Sequence, residues 1–228
     1  MSGRALGSSG FSLVRLFARP LALVVLAAVG AAILSFLWSG LAPPLRVPVI
    51  AYVVVLVAMA AHLEGKSASV LDFMGFAQKG GAVLSHVRLA DRPQRLNQVR
   101  IDTQQADALL ACDLVVGASP EALVTVRHGR TRILANTHEV PVAESLRNPD
   151  ASLQRPLLLD KLRHAAGAGR VETLDAQALA EAFLGDSITS NILQLGWSWQ
   201  RGLVPVGLAA LLRAIEINGV GVENNRLA

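Results

Sequence analysis

Not one acidic residue occurs in the first 62 positions of this chain, and that asymmetry constrains its fold more than any single motif. A stretch so long without Asp or Glu, built from Leu, Val and Ala, cannot supply the solvated shell of an ordinary globular domain. Residues 21–38 form an uncharged run of 18, the lower edge of a transmembrane helix. Arg4, Arg15 and Arg19 precede it, and the positive-inside tendency would leave the N-terminus in the cytoplasm. Pro43 and Pro44 end any helix there. A second apolar segment, residues 49–63, is short for a span and fits a buried helix of a packed core equally well. Residues 1–57 are therefore read as an apolar helical leader, with residues 21–38 and 49–63 as candidate transmembrane helices. A leader joined by gene fusion, or by a misplaced start, is the alternative.

Beyond residue 58 the punctuation becomes that of an α/β domain. Residues 69–72 form a short β-like run ending in Asp72, and residues 82–89 form a half-buried strand. Residues 99–101 are a further strand candidate, and Asp102-Thr103 could cap a helix over residues 105–111. Residues 113–117 read as a parallel-type strand. Ser119 and Pro120 then provide an N-cap and first helical residue, for a helix leading towards Arg130. Residues 132–136 read as a buried strand. After Asp150 the pattern turns helical, at 157–166, at 176–184 with Asp175 as its cap, and at 186–199 and 205–218, with a last strand at 171–174 and Gly219 as a stop. The expected fold is Rossmann-like, a mostly parallel sheet flanked by helices. Residues 58–150 would form its core and residues 151–228 its helical C-terminal part.

The net charge of +4 invites a nucleic-acid reading, but the arginines are dispersed and aromatic side chains are scarce. A solvated surface accounts for most of these charges, and no nucleic-acid partner is expected. The single cysteine, Cys112, excludes an intrachain disulfide and any cluster held by several thiolates. It sits in an apolar run, as a buried and inert thiol would. The five histidines lack the close pairing of a zinc or iron site, so no metal site is assigned.

Asp72-Phe-Met-Gly-Phe-Ala-Gln-Lys-Gly-Gly-Ala-Val-Leu-Ser-His86 is the most informative segment. A strand ending in Asp72 and a glycine-punctuated loop holding Gln78, Lys79, Gly80 and Gly81 would put polar groups at the carboxyl edge of the sheet, where open α/β sheets bind ligands. A plain connecting turn with a surface lysine would look the same. His138, after the strand at 132–136, would share that edge as an acid–base group or hydrogen-bond donor. A structural histidine is the competing reading. Asn191, Gln194, Trp197 and Trp199 share one helix, as residues of a packing face or subunit contact do.

These blocks, taken together in register, resemble the γ region of indolepyruvate:ferredoxin oxidoreductases, within the 2-oxoacid:acceptor oxidoreductases. The matching segments are residues 60–66, 70–88, 111–119, 135–138 and 148–150. Gly185, Asp186, Ser187, Asn191, Leu195-Gly-Trp197, Trp199-Gln200, Gly202-Leu-Val-Pro205, residues 214–219 and Val222-Glu-Asn224 continue the likeness, which spans about residues 58–228. It implies oxidative decarboxylation of arylpyruvates to acyl-CoA with reduction of ferredoxin. Thiamine diphosphate, iron–sulfur clusters and CoA belong to the complete enzyme, and none is expected on this chain alone. The partners implied are thiamine-diphosphate-binding domains or subunits, with ferredoxin as acceptor. Gln78, Lys79, Gly80 and Gly81 would line the face towards cofactor or CoA. One departure matters, because residues 41–64 contain no glycine where the family has a glycine-rich turn. That suggests a fragment, inactive alone, in the cytoplasm or held at the inner membrane by its leader. The competing reading is a membrane-tethered docking protein without catalysis.

Overall fold

The computed structural model describes residues 49–74, 83–138 and 155–228. All of them fall within one compact unit, Arg46–Ala228. The candidate span at 21–38 and the loop containing Gln78, Lys79, Gly80 and Gly81 lie outside the described residues.

Helix α1, Val49–Leu63, opens the unit. It buries Val53, Leu56, Val57, Ala60 and Ala61, and Leu56, Ala60 and Ala61 are fully inaccessible to water. Burying one large aliphatic side chain is worth about 1.5–3 kcal/mol. Of the two readings left open for residues 49–63, the core helix is therefore the one observed. Among the described residues no helix is long and apolar enough to cross a membrane. Gly65, at φ 71°, lets the chain reverse after α1, and the Lys66 N–H then reaches back to the Ala61 carbonyl at 2.9 Å.

A hairpin follows. Strands β1, Ser67–Met74, and β2, Val83–Ala90, pair antiparallel from Ser67 opposite Ala90 to Met74 opposite Val83. Val87 and Leu89 pack on the α1 core. His86 is buried, and its Nδ1 accepts the Ile101 N–H at 2.9 Å. That contact explains why residues 99–101, a strand candidate by composition, form no ladder. Their trailing end, Ile101, is fastened to a side chain instead.

Strands β3, Ala108–Ala111, β4, Arg132–Asn136, and β5, Val171–Leu174, form a parallel sheet in the order β3-β4-β5. Helices α2, Leu114–Gly117, and α3, Pro120–Leu123, lie between β3 and β4. Helix α4, Arg155–Ala166, precedes β5, and α5, Ala176–Leu184, follows it. Helices α6, Ser190–Gln200, α7, Leu208–Asn218, and α8, Val222–Leu227, complete the unit. Ile133 and Ala135 face a core shared with Leu114, Ala118, Leu162 and Ala166. Because strand side chains alternate, Leu134 points the other way. Its carbonyl accepts from the wholly buried Gln194 of α6 at 3.1 Å. Gln194 is thus a packing residue, and Trp199 likewise donates its Nε1–H to the Val206 carbonyl at 2.8 Å.

Two sequence assignments are corrected. Residues 105–111, expected as a helix, contain β3. Residues 113–117, expected as a strand, are the site of α2. Asp113 decides both, since its Oδ1 accepts the Val115 and Val116 N–H groups at 2.8 and 3.1 Å. A carboxylate in that position ends the strand before it and starts a helix after it. The helix expected to reach Arg130 stops at Leu123, and Thr131 binds the turn by donating to the Ala106 carbonyl at 2.6 Å. Ser119, Pro120 and Asp175 stand where expected, as does the left-handed stop Gly219, and Gly185 ends α5 in the same conformation.

Ion pairs close the unit at two seams. Glu64 joins the end of α1 to the start of α7. Its Oε1 accepts the Gly207 N–H at 2.6 Å and its Oε2 takes Lys66 Nζ at 2.7 Å. Glu172 on β5 takes Arg201 at 2.7 Å and Arg132 at 2.9 Å. Hydrogen bonding to Lys66 and the Gly207 N–H holds the Glu64 carboxyl below its ordinary value of 4.5, and Arg201 above all, with Arg132, does the same for Glu172. With folded values below unfolded ones, the unfolded chain takes up these protons first on acidification. The contribution is complete above about pH 4.5 and is lost as pH falls through the lower folded values. We expect the melting temperature to fall as pH drops below 4.5, with a shallower fall over that range in Glu172→Gln. An equally steep fall in that variant would exclude the assignment.

Candidate functional site

Among the described residues, the carboxyl edge of the parallel sheet gathers several polar groups with chemical potential. Strand β3 leads into Cys112 and Asp113, β4 into Thr137 and His138, and β5 into Asp175. Asn136, only 4 % exposed, ties the three together. Its Nδ2 donates to the Cys112 carbonyl at 3.3 Å. Its Oδ1 accepts the His138 N–H at 3.2 Å and the Ala176 N–H at 3.1 Å. The side chain thereby fixes where the backbone turns after each strand.

Asp175 Oδ1 accepts the Ala178 N–H at 2.9 Å, capping α5, and lies 3.8 Å from His138 Nδ1. That distance is a charge contact and too long for a hydrogen bond. His138 remains about one-third exposed, and Asp175 somewhat more. Both helix N-termini at this edge, those of α2 and α5, already carry their own carboxylates. Donors that elsewhere cradle phosphate are here engaged internally, so the edge suits a hydrogen-bond donor or cationic group better than a phosphate.

The structure separates the residues singled out from the sequence. His138 lies on the carboxyl edge, as expected. Asp72 does not share it, because β1 belongs to the separate antiparallel hairpin and Asp72 sits exposed within that strand, opposite Ser85. The reason is topological. A glycine loop joining two consecutive strands closes a hairpin, whereas the carboxyl-edge reading required a helical crossover. Gln78, Lys79, Gly80 and Gly81 lie outside the described residues. Sequence reasoning placed Asn136 in a motif without giving it a role, and treated Asp175 only as a cap. The available signal was position, since Asn136 is the last residue of β4 and Asp175 directly follows β5.

The iron–sulfur cluster implied by the resemblance does not fit these residues. An iron–sulfur cluster needs several thiolates, and the chain has one cysteine. Burial, reinforced by the Asp113 carboxylate, pushes the Cys112 thiol up to about 12. Among the described residues no group of three His, Cys, Asp or Glu side chains could hold a metal ion. Cys112 is partly exposed to solvent, so the raised pKa rather than steric cover should slow its chemistry. Since the thiolate is the reactive species, native Cys112 is expected to react with a maleimide at pH 7.5 more slowly than in denaturant, and comparable rates in the two states would refute the raised pKa.

Comparison with known proteins identifies the architecture. Residues 50–228 match the family model for pyruvate ferredoxin/flavodoxin oxidoreductase, and residues 9–87 give a shorter match to the YhhN family. No curated protein matches. Among solved structures, the pyruvate oxidoreductase subunit PORC from Thermotoga maritima superposes with a TM-score of 0.50 at 17% identity, over 77% of this chain and 83% of that one. The gamma subunit of a keto/oxoacid ferredoxin oxidoreductase from Geobacter sulfurreducens gives 0.46 at 20% identity, over the same shares. Because the family match covers all the described residues except the first of α1, the chain belongs to the pyruvate ferredoxin/flavodoxin oxidoreductase family, with the γ-type α/β fold expected from its sequence.

Proposed function

We propose that this chain is the γ-type module of a 2-oxoacid:ferredoxin oxidoreductase and works only in complex with the chains that carry the redox and thiamine chemistry. The observation that carries this reading is the family match over residues 50–228, combined with a body whose one thiol cannot ligate a cluster. The chain then serves as a protein surface against which partner chains pack. The glycine loop with Gln78, Lys79, Gly80 and Gly81 faces the cofactor or CoA, and His138 supplies a hydrogen bond at the sheet edge. Asp72, on the hairpin leading into that loop, belongs to the same face. The substrate class is an indolepyruvate-like arylpyruvate, on the strength of the sequence blocks that resemble the indolepyruvate enzymes. A cytoplasmic setting is consistent with a reduced thiol.

The test is reconstitution. The full chain, coexpressed with thiamine-binding and ferredoxin-type chains of an oxidoreductase of this family, should copurify with them and support 2-oxoacid-dependent reduction of a viologen dye. Faster turnover of indolepyruvate than of pyruvate would support the substrate assignment, and the reverse order would replace it with pyruvate. Absence of any association would sink the reading.

A further inference from the structure

The segment between β2 and β3 is the most exposed connection among the described residues. Of residues 91–100, all but Leu96 are exposed. Ordinarily such a loop is mobile, and ordering it on a partner would cost conformational entropy. Here it is held at its far end by two contacts from β2. His86 Nδ1 accepts the Ile101 N–H at 2.9 Å, and Arg88 Nη1 donates to the Arg100 carbonyl at 3.1 Å. Pro93 opens a 3-10 turn, Pro93–Arg95, in which the Leu96 N–H returns to the Pro93 carbonyl at 2.9 Å. The loop is therefore shaped before anything binds it, and little ordering remains to be done on association.

Its chemistry is one-sided. Arg88, Arg92, Arg95 and Arg100 fall within thirteen residues that hold a single carboxylate, Asp91. Val99, 48% exposed, sits beside Arg100. Arginine next to an exposed aliphatic side chain is the composition that protein interfaces favour, because the guanidinium makes several directed hydrogen bonds while its stem packs on apolar surface. Nucleic acid is a poorer fit, because residues 88–100 contain no aromatic side chain to stack on bases.

We propose that the loop at residues 91–101 is the docking element through which this chain engages an acidic face on a partner chain of the oxidoreductase. Arg92 and Arg95 make the principal ion pairs, and Val99 provides the apolar contact. The proposal rests on the reading of this chain as a γ-type module and adds where that module is bound. Charge complementarity names the partner surface as rich in Asp and Glu, and attraction of that kind weakens with salt.

The test uses the full chain and its coexpressed partner chains, with affinity measured by biolayer interferometry at 50, 150 and 500 mM NaCl. Wild type should weaken at least tenfold across that range. The double variant Arg92→Glu/Arg95→Glu should bind at least tenfold more weakly than wild type at 150 mM, with an unchanged melting temperature. Lys161→Glu, a charge reversal away from the loop on α4, should bind as wild type does. Wild-type binding that the double variant retains would overturn the docking proposal and leave the γ-module reading standing. Failure of wild type to bind any partner chain would overturn both.

Discussion

Asn136→Ala should lower the unfolding free energy by about 2–4 kcal/mol, among the largest effects of any single polar substitution in this chain. The estimate follows from what the side chain leaves behind. In the native fold Asn136 satisfies the Cys112 carbonyl and the N–H groups of His138 and Ala176, all at 3.1–3.3 Å. Alanine fills part of the volume and meets none of them. The Ala176 N–H is the costliest loss, because that residue is wholly buried and water cannot replace the bond. A buried group stripped of its partner costs about 1–3 kcal/mol, whereas the two half-exposed losses cost less each. Urea denaturation should show a lowered midpoint with an unchanged slope. Asn136→Asp separates hydrogen bonding from shape. It keeps an acceptor for the two N–H groups but sets a second oxygen against the Cys112 carbonyl, so it should also destabilise and should recover as the carboxyl protonates. A change below about 0.5 kcal/mol in Asn136→Ala would show that the three strand ends hold together without it.

Why Asn136 was not legible in the sequence is instructive. The strand before it, residues 132–136, was read correctly, because a short apolar run between turn signals has few alternatives once a helix start such as Ser119-Pro120 precedes it. Most helices from 157 to 218 were also plain, since Asp175 and Gly219 mark ends by local chemistry. The one expected from 186, however, begins at Ser190 after a 3-10 turn, and the last helix, Val222–Leu227, was not expected. The failures lie where the deciding contact is not local to the pattern. Residues 109–117 are apolar but for Asp113 and satisfy a strand or a buried helix by composition. Only the side chain of Asp113, turning back onto Val115 and Val116, sets the border at residue 113. Likewise the hairpin at 67–90 was read as two strands, but its separation from the parallel sheet depends on pairing partners that no window of sequence contains. That separation took Asp72 away from His138. The family likeness was legible because many blocks agree in register, and agreement of that kind does not depend on assigning any one element correctly.

Gly117→Val tests the same β3–α2 junction from its packing side and should cost about 3 kcal/mol. A Cβ built at Gly117 overlaps the Cβ of Ala111 and comes within 3.4 Å of its Cα. Ala111 ends β3, is 2% exposed, and belongs to the core beneath α2 and α4. Neither atom is the end of a flexible side chain, so relief requires the backbone of β3 or α2 to move. Overpacking of this kind costs about 1–3 kcal/mol, and the branched side chain of valine adds a further clash on the same side. Helix propensity works the other way, since most residues favour a helix over glycine by a few tenths to about 1 kcal/mol. The steric term is the larger of the two. Gly117→Ala should therefore be milder, near 1–2 kcal/mol, and its pairing with Ala111→Gly should recover part of the loss. A coupling of at least 0.5 kcal/mol in that double-mutant cycle would place the clash between these two residues. Additive effects would mean that Gly117 is required for some other reason. Because α2 begins at the Asp113 cap that also borders Cys112, a displaced α2 should open the thiol as well. Gly117→Val should then accelerate maleimide labelling of Cys112 in the native state, a readout that a loss of stability elsewhere in the unit would not produce to the same degree.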